Sequence, residues 1–327
     1  MPFFSATVPA DFQGSTRLDK YVASLPDGMN RSKLKAGVSE ILLNGAYAKL
    51  SAKVAAGDRI DIDWEDNVPS DIAPEAIPLN IIYEDENVTV VNKAQGMVTH
   101  PASGNWTGTL VNALLYHWGR AGIPQATDVP APQMLAQRRP GIVHRLDKDT
   151  SGVIITAKNR GAEAWLQAQF KTRRLGKHYI AIVTGTPPQE RGEIRTQIIR
   201  DPKDRRRFKA VTDTESGKMA LTGYRLVARY GPYSLLVLTL KTGRTHQIRV
   251  HLKYLGCPIL GDPLYGRRTT DTPFSGVTML LHASRLKIRL PQEKTYTTFK
   301  AKTPVRFRKV MRLLHRLYPK TPSGQGR

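Results

Sequence analysis

One polar segment holds the residues best able to do chemistry: Gly141-Ile142-Val143-His144-Arg145-Leu146-Asp147-Lys148-Asp149-Thr150-Ser151-Gly152-Val153. It lies between a proline-rich stretch and a β-branched run, and catalytic groups favour loops held on a rigid scaffold. Arg145 and Lys148 flank Asp147. Nearby positive charge favours the carboxylate, so Asp147 is expected to stay ionised well below neutral pH. An ionised, positioned carboxylate serves as a nucleophile or a base at a sugar carbon. The same residues also fit a solvated turn whose charges balance.

Other chemistries find no support. The single cysteine, Cys257, excludes a disulfide scaffold and a zinc ribbon. No dinucleotide-binding glycine pattern, Walker loop or Gly-x-Ser-x-Gly elbow is present. His246 and His251 are five residues apart, the wrong spacing for a metal pair on one helical face. The pattern therefore calls for no metal and no cofactor.

The elements that must position the polar segment alternate along the chain. Residues 17–25 space Leu18, Tyr21, Val22 and Leu25 as a short helix, and Arg31–Leu42 reads as a second helix with several bases. Asn44-Gly45 is a turn, and Arg59–Trp64 alternates as a strand. Pro69 to Pro78 reads as a linker. Beyond it, 81–85 and 88–91 are expected to pair around an acidic turn, and Thr109–Trp118 to form a helix. Residues 121–140, with four prolines, read as a loop. Strand 153–157, helix 162–174 and strand 178–183 follow, the last with Tyr179, Ala181 and Val183 on one face. Leu235–Leu240 is apolar on both faces, so it belongs inside a sheet. Ile248, His251, Leu252 and Leu255 give a helix ending at Gly256, and 286–290 alternates as a late strand. The sum is an α+β fold with a mainly antiparallel mixed sheet, preceded by a small α+β domain.

The charge points to the partner. Of 327 residues, 50 are Lys or Arg and 27 Asp or Glu, a net +23. Residues 1–76 hold 8 bases and 11 acids, a net −3, so the excess lies in 77–327, with 42 and 16. Lys203–Lys209 is strongly basic, and no acid follows Lys294. Such repetition suits a phosphate backbone. No apolar run approaches a membrane span and no signal peptide is visible, so a cytoplasmic protein is expected.

His144-Arg145-Leu146-Asp147-x-x-Thr150-Ser151-Gly152 resembles the central motif of the large-subunit ribosomal RNA pseudouridine synthases. Further motifs of that family follow in order: Tyr83-Glu84-Asp85 with Val91-Asn92-Lys93, Lys177-His178-Tyr179-Ile180-Ala181, and Thr242-Gly243-Arg244-Thr245-His246-Gln247-Ile248-Arg249-Val250-His251 leading into Gly261-Asp262-x-x-Tyr265-Gly266. Ala94 departs from the family's usual proline. Arg17-Leu18-Asp19-Lys20 and Gly57-Asp58-x-Ile60 resemble the S4 RNA-binding domain. The resemblance implies an S4-like domain over 1–75, a pseudouridine synthase domain over 76–303 and a basic tail over 304–327.

It also implies residue roles. Asp147 attacks C1′ of the target uridine or removes a sugar proton. Arg249 pairs with Asp147. Tyr179 packs on the flipped base and assists loss of the C5 proton. Arg145 fills the place the uridine leaves in the RNA, and His144, Arg244 and His246 contact substrate. Base flipping is required because the reacting atoms are hidden in the stack. The implied partner is structured RNA, of the 23S ribosomal type or in a large-subunit assembly particle, bound by a monomer. The same chemistry on transfer RNA is an alternative. A non-catalytic assembly factor is another, against which the intact Asp147, Tyr179 and Arg249 argue.

Overall fold

The computed structural model describes residues 3–25, 34, 38–64, 71–102, 104–120, 123–124, 141–212, 217–267 and 273–319. The chain divides into two compact units, Met1–Ser70 and Asp71–Arg327.

In the first unit, β1 (Phe3–Thr7), β2 (Thr16–Arg17), α1 (Leu18–Val22), β3 (Val38–Leu43), β4 (Ala46–Tyr47), β5 (Lys53–Val54) and β6 (Arg59–Trp64) follow in order. The main sheet runs β1-β6-β3-β4, and β2 pairs β5. Leu18, Val22, Val54, Ile60 and Ile62 are fully buried together. The helix expected over Arg31–Leu42 is corrected in its second half, which is strand β3, with Ile41 opposite Ile62. Val38, Ile41 and Leu42 fit helical spacing, but a short apolar run is ambiguous and the open flank of β6 decides it. Of the expected helix's first half only Leu34 is described, and it is helical.

The second unit is built on a ten-stranded sheet. Its strands are β8 (Ile81–Glu84), β9 (Val88–Lys93), β11 (Ser151–Ala157), β12 (Gly176–Thr184), β13 (Arg191–Arg200), β14 (Phe208–Val211), β15 (Lys218–Tyr230), β16 (Tyr233–Leu240), β17 (Leu281–Ile288) and β18 (Thr297–Lys300). Two short strands, β7 (Asp71–Ile72) and β10 (Ile123–Pro124), pair separately. Except for Ile123 and Pro124, the loop expected over 121–140 lies outside the described residues. The sheet order is β14-β13-β15-β16-β12-β17-β11-β9-β8, with β18 beside β17. All pairs are antiparallel except β11 with β17. The expected mixed, mainly antiparallel sheet is what forms, and β16 is interior.

The helices are α2 (Leu110–His117), α3 (Arg160–Thr172), α4 (Gln247–Tyr254) and α5 (Val305–Leu317). Thr109 caps α2 by accepting from the Asn112 N–H, and Asn159 caps α3 by accepting from that of Ala162. The acid-free end of the chain is no loose tail over 305–317. Phe307, Val310 and Leu314 of α5 are buried in the core that holds Leu236 and Leu238, Arg306 donates to the Ser151 hydroxyl at 2.7 Å, and Arg308, Lys309, Arg312 and Arg316 are exposed.

Candidate active site

The loop that carries Asp147 is fastened through its carbonyls. The Thr99 hydroxyl donates to Leu146 O at 2.8 Å, and the Gly96 N–H to Lys148 O at 2.9 Å. The Lys93 ammonium, 1% exposed, donates to Ala94 O at 2.9 Å, Met97 O at 2.7 Å and Lys148 O at 3.2 Å. Burial pushes the Lys93 pKa down to about 7, against the opposing pull of Asp147 and Asp149. At the loop's end Gly152 adopts φ +119°, and a Cβ there would sit 2.2 Å from Ala283 O. Only glycine lets β11 start beside β17 at this approach.

Opposite this loop stands α4. Its Arg249, 4% exposed, meets Asp147 through NH1 at 3.4 Å. The firmer partner is Asp262, fully buried, which accepts from Arg249 Nε at 2.7 Å and NH2 at 2.8 Å. Asp262 also accepts the N–H groups of Leu264 and Tyr265 at 2.8 and 3.0 Å. Burial opposes both charges. The two-point ion pair outweighs it, so the Arg249 pKa rises and the Asp262 pKa falls from their ordinary values. Gly261, at φ +76°, delivers Asp262, since a Cβ there would lie 2.5 Å from Val277 O.

His246 starts α4 in the left-handed region, φ 55°. Its Nδ1 is 2.9 Å from the Tyr265 hydroxyl, which accepts the Phe208 N–H at 2.9 Å. That hydroxyl's own proton is then best given to Nδ1, which leaves the Nε2 proton facing Asp147 Oδ2 at 4.0 Å. Burial lowers the His246 pKa, with Asp147 pulling the other way, so the ring is neutral near pH 7.

Asp147, Arg249, His246 and Tyr179 line one cavity of about 410 Å³. Tyr179 projects from β12 and is 6% exposed. Burial, then the charge of Asp147, raises its pKa, so its phenol stays neutral. Arg145, Arg244 and Lys177 also line the cavity. Arg145 is exposed, and Arg244 is braced by donation from Nε to Met219 O at 3.1 Å. Burial, then the charge of Arg173, lowers the Lys177 pKa to about 8. His144 reaches the cavity but is committed to the scaffold. Its Nε2 accepts the Ile155 N–H at 3.1 Å, and its ring stacks on Phe170 at 4.6 Å. Burial, with Lys177 nearby, takes its pKa down to about 3. His251, by contrast with His246, is buried between the Thr196 and Thr222 hydroxyls at 3.0 and 2.9 Å.

The structure thus brings all seven sequence-nominated residues to the cavity's lining. Reasoning from sequence missed Lys93, Asp262 and Tyr265 as parts of the site. All three stand inside recognised motifs; their signal was motif membership, while their function depends on contacts across the fold.

An electropositive cavity with one carboxylate clamped by a buried arginine and roofed by a neutral tyrosine is suited to an extruded nucleotide. The comparisons agree. Residues 87–254 match the family model described as RNA pseudouridylate synthase, and the chain belongs to that family. It is 42% identical over 301 residues to ribosomal large subunit pseudouridine synthase D of Borreliella burgdorferi, covering 90% of this chain and 88% of that one. It is 40% identical over 295 residues to an uncharacterized RNA pseudouridine synthase of Bacillus subtilis, covering 89% and 92%. Among solved structures, human RNA Pseudouridylate Synthase Domain Containing 1 superposes with a TM-score of 0.53 at 26% identity, covering 76% of this chain and 98% of that one. The chain is an enzyme, an isomerase of uridine in RNA.

Proposed function

We propose that the chain makes pseudouridine in large-subunit ribosomal RNA, in the manner of the synthase D type, with Asp147 as its reacting carboxylate. The observation that carries this is Asp147 itself, 18% exposed at its side chain, held at 3.4 Å by a buried arginine in a basic cavity. Its 42% identity to the ribosomal large subunit pseudouridine synthase D of Borreliella burgdorferi supports the ribosomal substrate. The N-terminal unit, which opens its helix with Arg17-Leu18-Asp19-Lys20, fits an S4-like RNA-binding module.

In this reading the uridine leaves the stack and enters the cavity. Asp147 attacks C1′, or takes a sugar proton, and the C1′–N1 bond breaks. Uracil turns within the cavity and C5 bonds to C1′; on the first route this displaces the Asp147 carboxylate from C1′, and on the second C2′ takes back the proton that Asp147 removed. The C5 proton then leaves and restores the aromatic ring. Arg249 pairs with the Asp147 carboxylate and aims it within the cavity. Tyr179, held neutral, packs on the uracil and relays the C5 proton without carrying a standing charge. Arg145, exposed at the rim, fills the gap left in the RNA.

The test is tritium release from ribosomal and transfer RNA carrying 5-tritiated uridine. Release by the native enzyme from large-subunit RNA, and none by Asp147→Asn, is expected. Equal release by both proteins would end the assignment of Asp147. Release from transfer RNA alone would end the ribosomal one.

A further inference from the structure

The catalytic sheet has a second face. On β12, His178 and Ile180 point away from the side on which Tyr179 meets the cavity. The register extends this reverse face across five strands. His178 lies opposite Thr239 and Arg285, Thr239 opposite Gly223, and Gly223 opposite Glu193. One step along, Ile180 faces Val237, Val237 faces Arg225, and Arg225 faces Arg191. These residues line an open groove of about 860 Å³. Its middle is low, floored by Gly223, Thr239 and Val237, and its bases stand around it.

Four of those bases, Arg191, Arg225, Lys241 and Arg285, are exposed. None forms an ion pair with another described residue. Glu193 is the one carboxylate among the described residues that line the groove. The four bases come from four places on the sheet, β13, β15, the end of β16 and β17. From β13 to β17 is four strand spacings, about 19 Å. Charge spread over that width does not converge on one small anion; it suits a string of phosphates. Lys241 lines both this groove and the active-site cavity, so the two basic surfaces are continuous around the sheet.

We propose that this reverse-face groove is a second RNA-binding surface, which takes the phosphate backbone of the substrate after it passes over Lys241 out of the active site. The proposal rests on the RNA-modifying reading above. Contact would be with phosphate and would not depend on sequence. It would lengthen the bound RNA beyond the stem that fills the cavity.

The experiment compares native enzyme with the double variant Arg225→Gln, Arg285→Gln, on a short stem-loop that covers only the cavity and on the same stem-loop extended by flanking duplex. Binding is read by fluorescence anisotropy over a salt series, and turnover by tritium release. On the extended RNA the variant should bind on the order of tenfold more weakly near 0.15 M salt, and its log–log salt slope should fall by roughly 1.4–1.8, the share of two phosphate contacts. KM on that RNA should rise and kcat at saturation stay unchanged, which also shows an intact fold. On the short stem-loop the two proteins should match. Equal affinity and slope on the extended RNA would overturn the proposal and leave the face to another partner, such as an acidic protein. Failure of the RNA-modifying reading would look different, since the native enzyme itself would release no tritium from either RNA.

Discussion

Asp262 grips Arg249 at two points, Nε to Oδ2 at 2.7 Å and NH2 to Oδ1 at 2.8 Å. The pair orients the guanidinium so that only NH1 is left to reach Asp147, at 3.4 Å. Arg249 therefore acts as a bridge between a structural carboxylate and the one proposed to react. A planar five-donor fork can do this, and a lysine cannot.

Asp262→Ala should accordingly harm both fold and catalysis. It strands a buried cation and two backbone N–H groups. Removing one partner of such a pair typically costs about 3–5 kcal/mol. Urea denaturation should show that loss, and kcat should fall with the aim of Arg249. Asp262→Asn, which can still accept from the N–H groups, should recover part of the stability and little of the activity. An Asp262→Ala protein of native stability and turnover would show that Arg249 is held by other means.

Tyr179→Phe separates packing from proton transfer. The hydroxyl's surroundings are the cavity and the charge of Asp147. Its removal should cost little stability. If the neutral phenol relays the C5 proton, kcat should fall about 10²–10⁴-fold, the usual weight of a positioned proton-transfer group. KM should hold, because the ring still stacks on uracil. A fall in KM-based binding with kcat intact would make Tyr179 a packing residue only.

The fold was legible where one rule acts alone. Tyr179, Ala181 and Val183 alternate and do share a face. Leu235–Leu240 is interior, although its outer residues Leu235 and Val237 are only half-buried on the basic reverse face. Val38–Leu43 misled because helical spacing and strand propensity coincide over six residues, and pairing with β6 settles the outcome. Asp147 and Arg249 could be named from their motifs. That Asp262 grips Arg249, or that Lys93 ties down the Asp147 loop, depends on contacts 13 and 55 residues apart in sequence, which no local pattern records. His144 was nominated for substrate and is occupied by Ile155 and Phe170.

Three histidines, His251 and His282 buried and His144 half-buried, set the acid limit of stability. Burial lowers the pKa of His144 to about 3, with Lys177 contributing, and those of His251 and His282 to about 4. In the unfolded chain each takes a proton near pH 6.5. Between about 4 and 6.5 the unfolded state therefore binds more protons, so stability falls as pH falls through that window. Three such groups give a slope approaching about 4 kcal/mol per pH unit near pH 5. Urea midpoints at pH 7, 6 and 5 should drop steeply, and His251→Gln, which can still bond Thr196 and Thr222, should remove about a third of the slope. A flat profile from pH 7 to 5 would contradict the neutral state of these rings.

Lys93 gives the opposite window. Its pKa of about 7 lies well below the ordinary lysine value because burial disfavours the ammonium. From about pH 7 to 10.5 the unfolded chain holds one proton that the folded chain has released, so stability should rise with pH by up to about 1.4 kcal/mol per unit. Lys93→Met fills the same space without a charge. Its stability should lack that component, which a comparison of native and variant denaturation between pH 7.5 and 9 reads directly. The variant also leaves the Ala94 and Met97 carbonyls without the ammonium that they accept from, and loosens Lys148 O, which Gly96 alone then holds. Each unmade buried hydrogen bond costs about 1–3 kcal/mol, offset in part below pH 7 by relief of the buried charge. Because Lys148 follows Asp147, the looser loop should lower kcat at least about tenfold while RNA affinity, set by exposed bases such as Arg145, stays near native. Native kcat in Lys93→Met would mean that Thr99 and Gly96 suffice to hold the Asp147 loop.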